Sequence, residues 1–273
     1  MTAVIERLPA TRPAQTVGFD NLLRSEWTKL RSVRSTYWTA GVATLASVLL
    51  AIVLCLQWAH QITIGKDTVQ GFDSTMNSLS GFFVVQVALG ALGVMVISSE
   101  YGTGMIRATF GAVPQRRTLI AAKGLVFAGC TLVLGEVLSF TSFGIGQAIL
   151  HSAHAGVSLG DPGVLRAVFG AGLYVTAVGL LGFGLGALIR HTAGALSAFF
   201  GLMFASTAVV DLLPTSWRND VIKFMPINAG SQILSTSAHR DQALAPWPGF
   251  LVLCAYAAVA IVAALLLVNR RDA

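Results

Sequence analysis

Residues 99–123 read SEYGTGMIRATFGAVPQRRTLIAAK and form a polar, basic interruption between two long apolar runs. Four basic residues in this stretch outnumber its single acid, Glu100, and three glycines and Pro114 break its regularity. Each flanking run is close to the ~20 apolar residues that cross ~30 Å of hydrocarbon as a helix. The stretch therefore predicts a water-exposed loop between two membrane spans.

The composition of the whole chain is that of a polytopic membrane protein. Only 11% of its 273 residues are charged, 55% are hydrophobic, and the mean hydropathy is +0.73. Soluble domains carry about 25% charged residues. We therefore expect an all-α membrane protein with a single transmembrane domain over residues 37–273. Its six predicted spans cover about residues 37–58, 79–98, 124–150, 164–189, 193–213 and 250–268.

The region before the first span has two parts. Residues 1–19 mix proline, threonine and alanine without periodicity, which predicts a disordered cytosolic tail. Residues 20–36 repeat apolar side chains at helical spacing between basic ones, which predicts an amphipathic helix lying in the membrane interface. A plain positively charged flank of the first span is the alternative. The residues of the predicted interfacial helix that would meet the membrane surface are Trp27, Lys29, Arg31 and Arg34.

The distribution of positive charge predicts the orientation of the spans. Most of the 18 Lys and Arg residues fall on the side of the N-terminus, the loop after the second span and the C-terminus. Cytoplasmic segments carry such an excess. We therefore expect a multi-pass plasma-membrane protein with both termini in the cytoplasm.

Two later regions show local signals. Residues 214–248 are amphiphilic and too polar to span the membrane twice, so they predict short re-entrant or surface helices before the sixth span. The fifth span carries a ladder of small residues that is suited to close contact between helices. This ladder consists of Ala193, Ser197, Gly201 and Ala205.

Motifs of common enzymes are missing from the sequence. It contains no GxxxxGK[ST] nucleotide-binding loop and no HExxH string, so neither ATP hydrolysis nor metal-dependent hydrolase chemistry is expected. His151, His154 and Asp161 lack a further ligand at motif spacing, so no metal site is predicted. The three cysteines lie inside apolar runs and are expected to be buried free thiols.

Glu136 lies near the middle of the third predicted span. A charge there costs ~2.5–3.5 kcal/mol on insertion scales, so such residues usually face a bundle interior or a watery cavity. One interpretation makes Glu136 a cavity-lining or proton-responsive residue. The other makes it a packing residue that is protonated, or hydrogen-bonded to Gln86 or to a hydroxyl of another span.

Together these features resemble a known family. The most specific of them are the string EYxxGxxR that begins at Glu100 and the string PxxR that begins at Pro114, followed by Lys123. With the basic helix LLRSEWTKLRS and the six spans, they make residues 21–271 similar to the ABC-2-type permeases of ATP-driven exporters, particularly the small actinobacterial kind. Relatives often carry a polar or charged residue where this chain has Gly102. That side of the loop would therefore contact a partner through its backbone.

The resemblance implies a non-catalytic permease subunit of an exporter. A pathway so poor in charge fits a hydrophobic or amphiphilic substrate, such as a drug, an antibiotic or modified peptide, or a lipid-like molecule. Two permease subunits, as a homodimer or a heterodimer, would bind two copies of a cytosolic ABC ATPase. ATP and Mg would bind the ATPase and no cofactor this chain, and no nucleic acid is expected. A coupling helix would occupy about residues 104–110, and the pathway would include Glu136 and Gln86. The coupling residues that the resemblance implies are Glu100, Tyr101, Gly104, Met105, Ile106, Arg107, Phe110, Pro114 and Arg117.

Two other classes of function fit the same sequence. An ion-coupled secondary transporter would use Glu136 and no ATP. A non-transporting membrane protein would serve as an immunity factor or an anchor. A neighbouring gene that encodes Walker motifs would favour the ATP-driven exporter over the secondary transporter.

Overall fold

The structure, a computed structural model, describes residues 18–32, 34–65, 72–106, 115–237 and 243–268, and only the backbone at residues 34–36. Every regular element within these ranges is helical. Six of the helices are long and apolar enough to cross a membrane. The predicted all-α fold with six spans is confirmed. Residues 1–17 of the predicted disordered tail lie outside the described residues.

Ten helices follow one another along the described parts of the chain. A π-helical segment, Gly201–Ala205, interrupts the seventh of them, and a 3-10 turn, Gln232–Leu234, follows the ninth. The helices are α1 (Phe19–Ser32), α2 (Arg34–Thr63), α3 (Ser74–Ser78), α4 (Phe82–Gly102), α5 (Arg116–His151), α6 (Val164–Ile189), α7 (Thr192–Val210), α8 (Thr215–Ile222), α9 (Pro226–Ser231) and α10 (Pro246–Leu267).

Several helices begin or end away from the predicted limits of the spans. Helix α2 continues to Thr63 rather than residue 58, α5 begins at Arg116 rather than residue 124, and α10 begins at Pro246 rather than residue 250. Hydropathy marks the part of a helix that lies in hydrocarbon, whereas the helix itself continues through polar residues at the boundary. Proline is also well tolerated in a first helical turn, where its missing N–H has no partner within the helix.

Three further helices are shorter than predicted. Helix α4 begins at Phe82 rather than residue 79, because residues 79–81 form the turn that links it to α3. Helix α7 ends at Val210, three residues before the predicted limit. The predicted helix over residues 20–36 is shorter in the structure, since α1 ends at Ser32 and α2 begins at Arg34.

Helix α6 is the centre of the bundle. It packs against α4, α5 and α10. In its apolar 18-residue segment, 72% is buried inside the protein, compared with 22% in the corresponding segments of α2, α7 and α10. Glycines allow this packing, because small residues let helix backbones approach closely. A side chain at Gly182 would collide with the carbonyl oxygen of Gly90 on α4, and one at Gly184 would collide with the methyl group of Ala260 on α10.

The bundle has two ends that differ in their polar contacts. The inner end, which is the end predicted to face the cytoplasm, contains α1, the end of α4, the start of α5 and the turn between α6 and α7. The outer end contains α3, the segment between α5 and α6, and residues 235–237. At the outer end the Asp73 carboxylate accepts hydrogen bonds from Ser235, Thr236 and Ser237 at 2.7–2.9 Å and caps α3 through the Met76 amide.

Candidate functional site at the inner end

Four charged side chains from three helices meet at the inner end and form what we call the charge cluster: Glu26 and Lys29 of α1, Glu100 of α4 and Lys123 of α5. The Lys123 ammonium lies 2.5 Å from Glu26 Oε2 and 2.8 Å from Glu100 Oε1. The Lys29 ammonium lies 2.8 Å from Glu26 Oε1 and 3.6 Å from Glu100 Oε1. The cluster therefore joins the N-terminal helix to both ends of the loop between α4 and α5.

The charge cluster is buried to an unusual degree for ionised groups. Glu26 is 1% exposed, Lys123 is 4% exposed and Glu100 is 8% exposed. Burying an ion costs several kcal/mol, which is recovered only when an opposite charge is held close and other hydrogen bonds are made. Removing one partner would leave an uncompensated charge in the protein, so the four residues are expected to act as a unit.

The pKa values of the α1 residues follow from this geometry. Burial opposes ionisation of Glu26, but the Lys123 and Lys29 ammoniums outweigh it and hold the pKa of Glu26 below its ordinary value. Burial likewise opposes the charge on Lys29, yet hydrogen bonding to Glu26 and the field of Glu100 raise the pKa of Lys29. Both groups are therefore charged throughout the physiological range of pH.

Glu26 was not among the residues predicted from the sequence, although the sequence contains a signal for it. Glu26 lies four residues after Leu22, and both are buried on the same face of α1. A carboxylate on the apolar face of an amphipathic helix needs a cation nearby, since almost no acid is fully buried unpaired. Lys123 lies similarly within the apolar run that starts α5. That these two residues pair, however, depends on tertiary contacts that spacing does not contain.

The described part of the loop after α4 combines an exposed residue with a buried one. Gly104 has a φ of +73°, a left-handed conformation that suits glycine and lets the chain turn away from α4. Met105 is then 54% exposed, whereas Ile106 is 2% exposed and belongs to the hydrophobic core. Tyr101 lies nearby, with the Arg190 guanidinium 5.1 Å from the centre of its ring.

The remaining residues predicted for coupling are only partly visible. Arg107, Phe110 and Pro114 lie outside the described residues. Arg117 is exposed in the first turn of α5. The structure thus brings Glu100, Tyr101 and Met105 to one end of the bundle with the start of α5. A coupling helix over residues 104–110 remains a prediction.

Helix α1 presents a second, exposed face opposite the charge cluster. Trp27 is 48% exposed, and the Arg31 guanidinium lies 6.0 Å from the centre of its ring. Lys29, predicted to meet the membrane surface, turns its ammonium towards Glu26 and Glu100, and its side chain is 37% exposed. The side chain of Arg34 lies outside the described atoms. An interfacial position of α1 in the membrane remains a prediction.

Glu136 and Gln86 contact the central helix α6 at different residues. The Glu136 carboxyl rests over the backbone of Gly172 on α6, where a larger residue would displace it. Both of its oxygens are buried and have no hydrogen-bond partner among the described residues. Gln86 is 1% exposed and accepts a hydrogen bond from the Tyr174 hydroxyl. The two side chains are therefore not bonded to each other.

Metal binding has no support in the described parts of the chain, where no group of three His, Cys, Asp or Glu residues comes together. The three cysteines are free thiols, and Cys55 is fully buried, whereas Cys130 and Cys254 are partly buried. Among the described residues, the charged side chains that are buried all belong to the charge cluster at the inner end.

The fold and this site define a helical membrane protein with six spans and an ion-paired inner end. The family model described as ABC-2 family transporter protein matches residues 22–206, which include the charge cluster and the first four spans. The chain belongs to this family. It is accordingly the membrane permease of an ABC transporter, and its partners are an ABC ATPase subunit and the lipid bilayer. A comparison with curated proteins found no match.

Proposed function

We propose that the chain is the permease subunit of an ATP-driven exporter at the plasma membrane, and that two permease subunits work with two copies of a cytosolic ABC ATPase. ATP and Mg bind the ATPase, and this chain has no catalytic role. The observation that carries the proposal is the charge cluster, because it joins α1, α4 and α5 around the loop that would meet the ATPase. A movement of that loop would then be passed to three helices at once.

The loop between α4 and α5 is the docking element in this proposal. Met105 supplies an exposed apolar side chain, and the buried Ile106 fixes the adjoining backbone to the bundle. Arg107 and Phe110 extend the docking surface, with the arginine pairing with an acidic rim on the ATPase. Closure of the ATPases on ATP moves α4 and α5 as rigid bodies, because packed helices shift as units.

The substrate is hydrophobic or amphiphilic in this proposal. The spans are poor in charge, and the carboxyl of Glu136 is a mid-membrane polar group without a described hydrogen-bond partner. Such groups commonly mark substrate or ion pathways in membrane proteins. Gln86 on α4 accepts a hydrogen bond from Tyr174 on α6 and so helps to hold these two helices together beside the proposed pathway.

The second permease subunit is a further copy of this chain. The small-residue ladder on α7 supports this arrangement, because Ala193, Ser197 and Ala205 are exposed and Gly201 has open space beside its Cα. Small residues at helical spacing permit close contact between helices in a membrane. On this basis α7 forms the contact between the two copies.

The coupling role is tested by the double substitution R107A/F110A. We expect it to abolish co-purification of the partner ABC ATPase and to abolish ATP turnover that depends on the permease. The matched control is R218A/F224A, which removes the same residue types at the outer end and should preserve both. If R107A/F110A retained both properties, the assignment of the loop would be wrong.

Proton- or ion-coupled transport without ATP is the second candidate, and the absence of a described hydrogen-bond partner for Glu136 is the observation that favours it. The two candidates differ in their energy source. In proteoliposomes that contain the permease without any ATPase, transport driven by a pH gradient and lost in Glu136→Gln would support the secondary transporter. Transport only with the ATPase and ATP would support the exporter.

A further inference from the structure

The Asp73 carboxylate fastens two segments of the chain to each other at the outer end of the bundle. Its Oδ1 accepts hydrogen bonds from the Met76 amide and the Thr236 hydroxyl, both at 2.9 Å. Its Oδ2 accepts three more at 2.7–2.9 Å, from the Ser235 hydroxyl and from the amides of Thr236 and Ser237. Burial opposes ionisation of Asp73, but these bonds outweigh it and hold the pKa of Asp73 below its ordinary value. The carboxylate therefore stays charged and keeps α3 bound to residues 235–237.

The two fastened segments are anchored to different helices. On the side of α3, the side-chain amide of Gln147 on α5 donates to the Ser74 carbonyl at 3.2 Å and to the Ser78 hydroxyl at 3.0 Å. On the other side, the Arg166 guanidinium of α6 donates to the Ser235 carbonyl at 2.8 Å. Helix α9, which leads into the 3-10 turn before Ser235, packs against α10. Release of the bonds to Asp73 would therefore let the segments separate while each keeps its own anchor.

A constriction lies between the two segments. The cavity at this point has a volume of about 10 Å³, which is about the space of one water-sized probe, and its lining is apolar. Tyr174 lines it and also donates a hydrogen bond to Gln86, which belongs to the proposed pathway. At this width the constriction admits no amphiphile. Its lining includes Met76, Leu79, Phe82, Tyr174, Ser231 and Leu234.

Polar atoms without partners are concentrated in α3 and the turn that follows it. Thr75 Oγ1, Asn77 Nδ2 and Ser80 Oγ are buried and have no hydrogen-bond partner among the described residues. The same holds for Gln86 Nε2, one turn into α4. Buried polar groups without partners are costly, and water satisfies them where it can reach them. Separation of the two segments would admit water, so these groups favour opening and the bonds to Asp73 oppose it.

We propose that Asp73 and residues 235–237 form the latch of an outer gate, which is closed in this structure and opens in each cycle of the exporter. The latch presupposes the exporter function proposed above and adds to it the contact that must break before substrate leaves. A permanent structural fastening would hold the same bonds through the whole cycle. The gate differs from such a fastening in one measurable respect, because nucleotide on the ATPases must loosen it.

The first experiment measures how fast a cationic, water-soluble thiol reagent modifies Leu234→Cys when Cys55, Cys130 and Cys254 are replaced by alanine. Leu234 is 5% exposed and lines the constriction, so its modification reports opening. In nanodiscs that contain the ATPase, we expect trapping with ATP and vanadate to raise the rate about tenfold over the nucleotide-free complex. Val210→Cys, 7% exposed at the outer end of α7, should react at one rate in both states. A rate for Leu234→Cys that nucleotide does not raise would overturn the gate.

Substitutions in the latch test which contact keeps the gate closed. In Asp73→Asn an amide nitrogen replaces one accepting oxygen, so backbone amides on that side lose their acceptor. We expect the nucleotide-free rate of Leu234→Cys to rise about tenfold, the effect of losing a hydrogen bond to a charged group. Thr236→Val removes one bond, keeps the charge and should give a smaller rise. Asp161→Asn is the matched control, because that carboxylate accepts from the Ser158 amide of its own turn at 2.8 Å. Rates unchanged in both latch variants would contradict the latch.

A disulfide across the latch separates failure of the gate from failure of the exporter. The Asp73 and Thr236 side chains touch at 2.9 Å, so cysteines at both positions are close enough to be bridged. In the cysteine-free background, oxidation of D73C/T236C should remove most of the ATP turnover that depends on the permease, and reduction should restore it. The control pair S158C/D161C bridges a single turn and should leave turnover unchanged. Turnover that survives complete oxidation of D73C/T236C would overturn the gate, whereas a reduced complex without any such turnover would refute the exporter function itself.

Discussion

Lys123 is the residue on which the inner end depends most. Its ammonium lies within 2.8 Å of carboxylates from two other helices, and its side chain is 6% exposed. A lysine so deep in a membrane protein is favourable only while both carboxylates are present, because each charge offsets the cost of burying the others. The same argument makes Glu26 and Glu100 dependent on Lys123.

Replacement of Lys123 by methionine keeps the length of the side chain and removes its charge. We expect Lys123→Met to lower the free energy of unfolding by about 3–5 kcal/mol, because two carboxylates are left buried and Lys29 is the one cation of the cluster that remains. Lys223→Met is the matched control, since Lys223 pairs with Asp220 at 3.3 Å on the surface and such pairs contribute at most about 1 kcal/mol. Unfolding in a mild detergent measures both, and equal losses would contradict the central role of the cluster.

The lowered pKa of Glu26 predicts how this contribution depends on pH. The unfolded carboxyl titrates near pH 4.3 and the folded one lower, so the unfolded state binds more protons between these two pKa values and stability rises with pH there. The contribution is complete above about pH 5.5 and is lost as the pH falls through the folded pKa. We expect the difference in unfolding free energy between wild type and Glu26→Gln to be constant from pH 6 to pH 8 and to shrink in acid. A difference that grew as the pH fell would refute the ion pairing.

At the scale of helices, the sequence predicted the core of each span better than its contacts. The fourth predicted span coincides with α6, because a turn around Pro162 precedes it and the Arg190-His191 connection follows it. Other helices extend beyond the predicted limits of their spans where polar residues continue the helix, as at Arg116. The pairing of Glu26 with Lys123 and the central position of α6 could not be predicted, because hydropathy does not indicate which helices are neighbours.

The glycines of α6 give a prediction at this scale. In Gly182→Ala the added methyl group would collide with the carbonyl oxygen of Gly90, so α4 and α6 must separate along their contact. We expect a cost of about 1–3 kcal/mol, as for other overpacked sites. Gly129→Ala is the control, because no other helix or side chain in the described structure lies within 4 Å of the added methyl group and alanine favours a helix by up to about 1 kcal/mol. Thermal unfolding that showed the two variants to be equally stable would contradict the close packing of α4 on α6.

At the scale of the whole molecule, the bundle is unevenly covered. Helix α6 is largely buried, whereas only 22% of the apolar 18-residue segment is buried within the chain in each of α2, α7 and α10. Some of this exposed surface meets lipid and some, in our proposal, meets a second copy. The three helices differ in composition, and α7 is the one that presents the small-residue ladder outward.

A crosslinking experiment separates the two kinds of surface. In a background with Cys55, Cys130 and Cys254 replaced by alanine, we expect oxidation of Ser197→Cys in membranes to give a covalent dimer. A disulfide needs Cα atoms within about 7 Å, a distance that small residues on facing helices permit. Gly144→Cys, at an open position on α5, should remain monomeric because lipid covers it in this arrangement. A dimer through Gly144→Cys with none through Ser197→Cys would move the contact between copies from α7 to α5, and the absence of both would exclude a symmetric contact through the ladder.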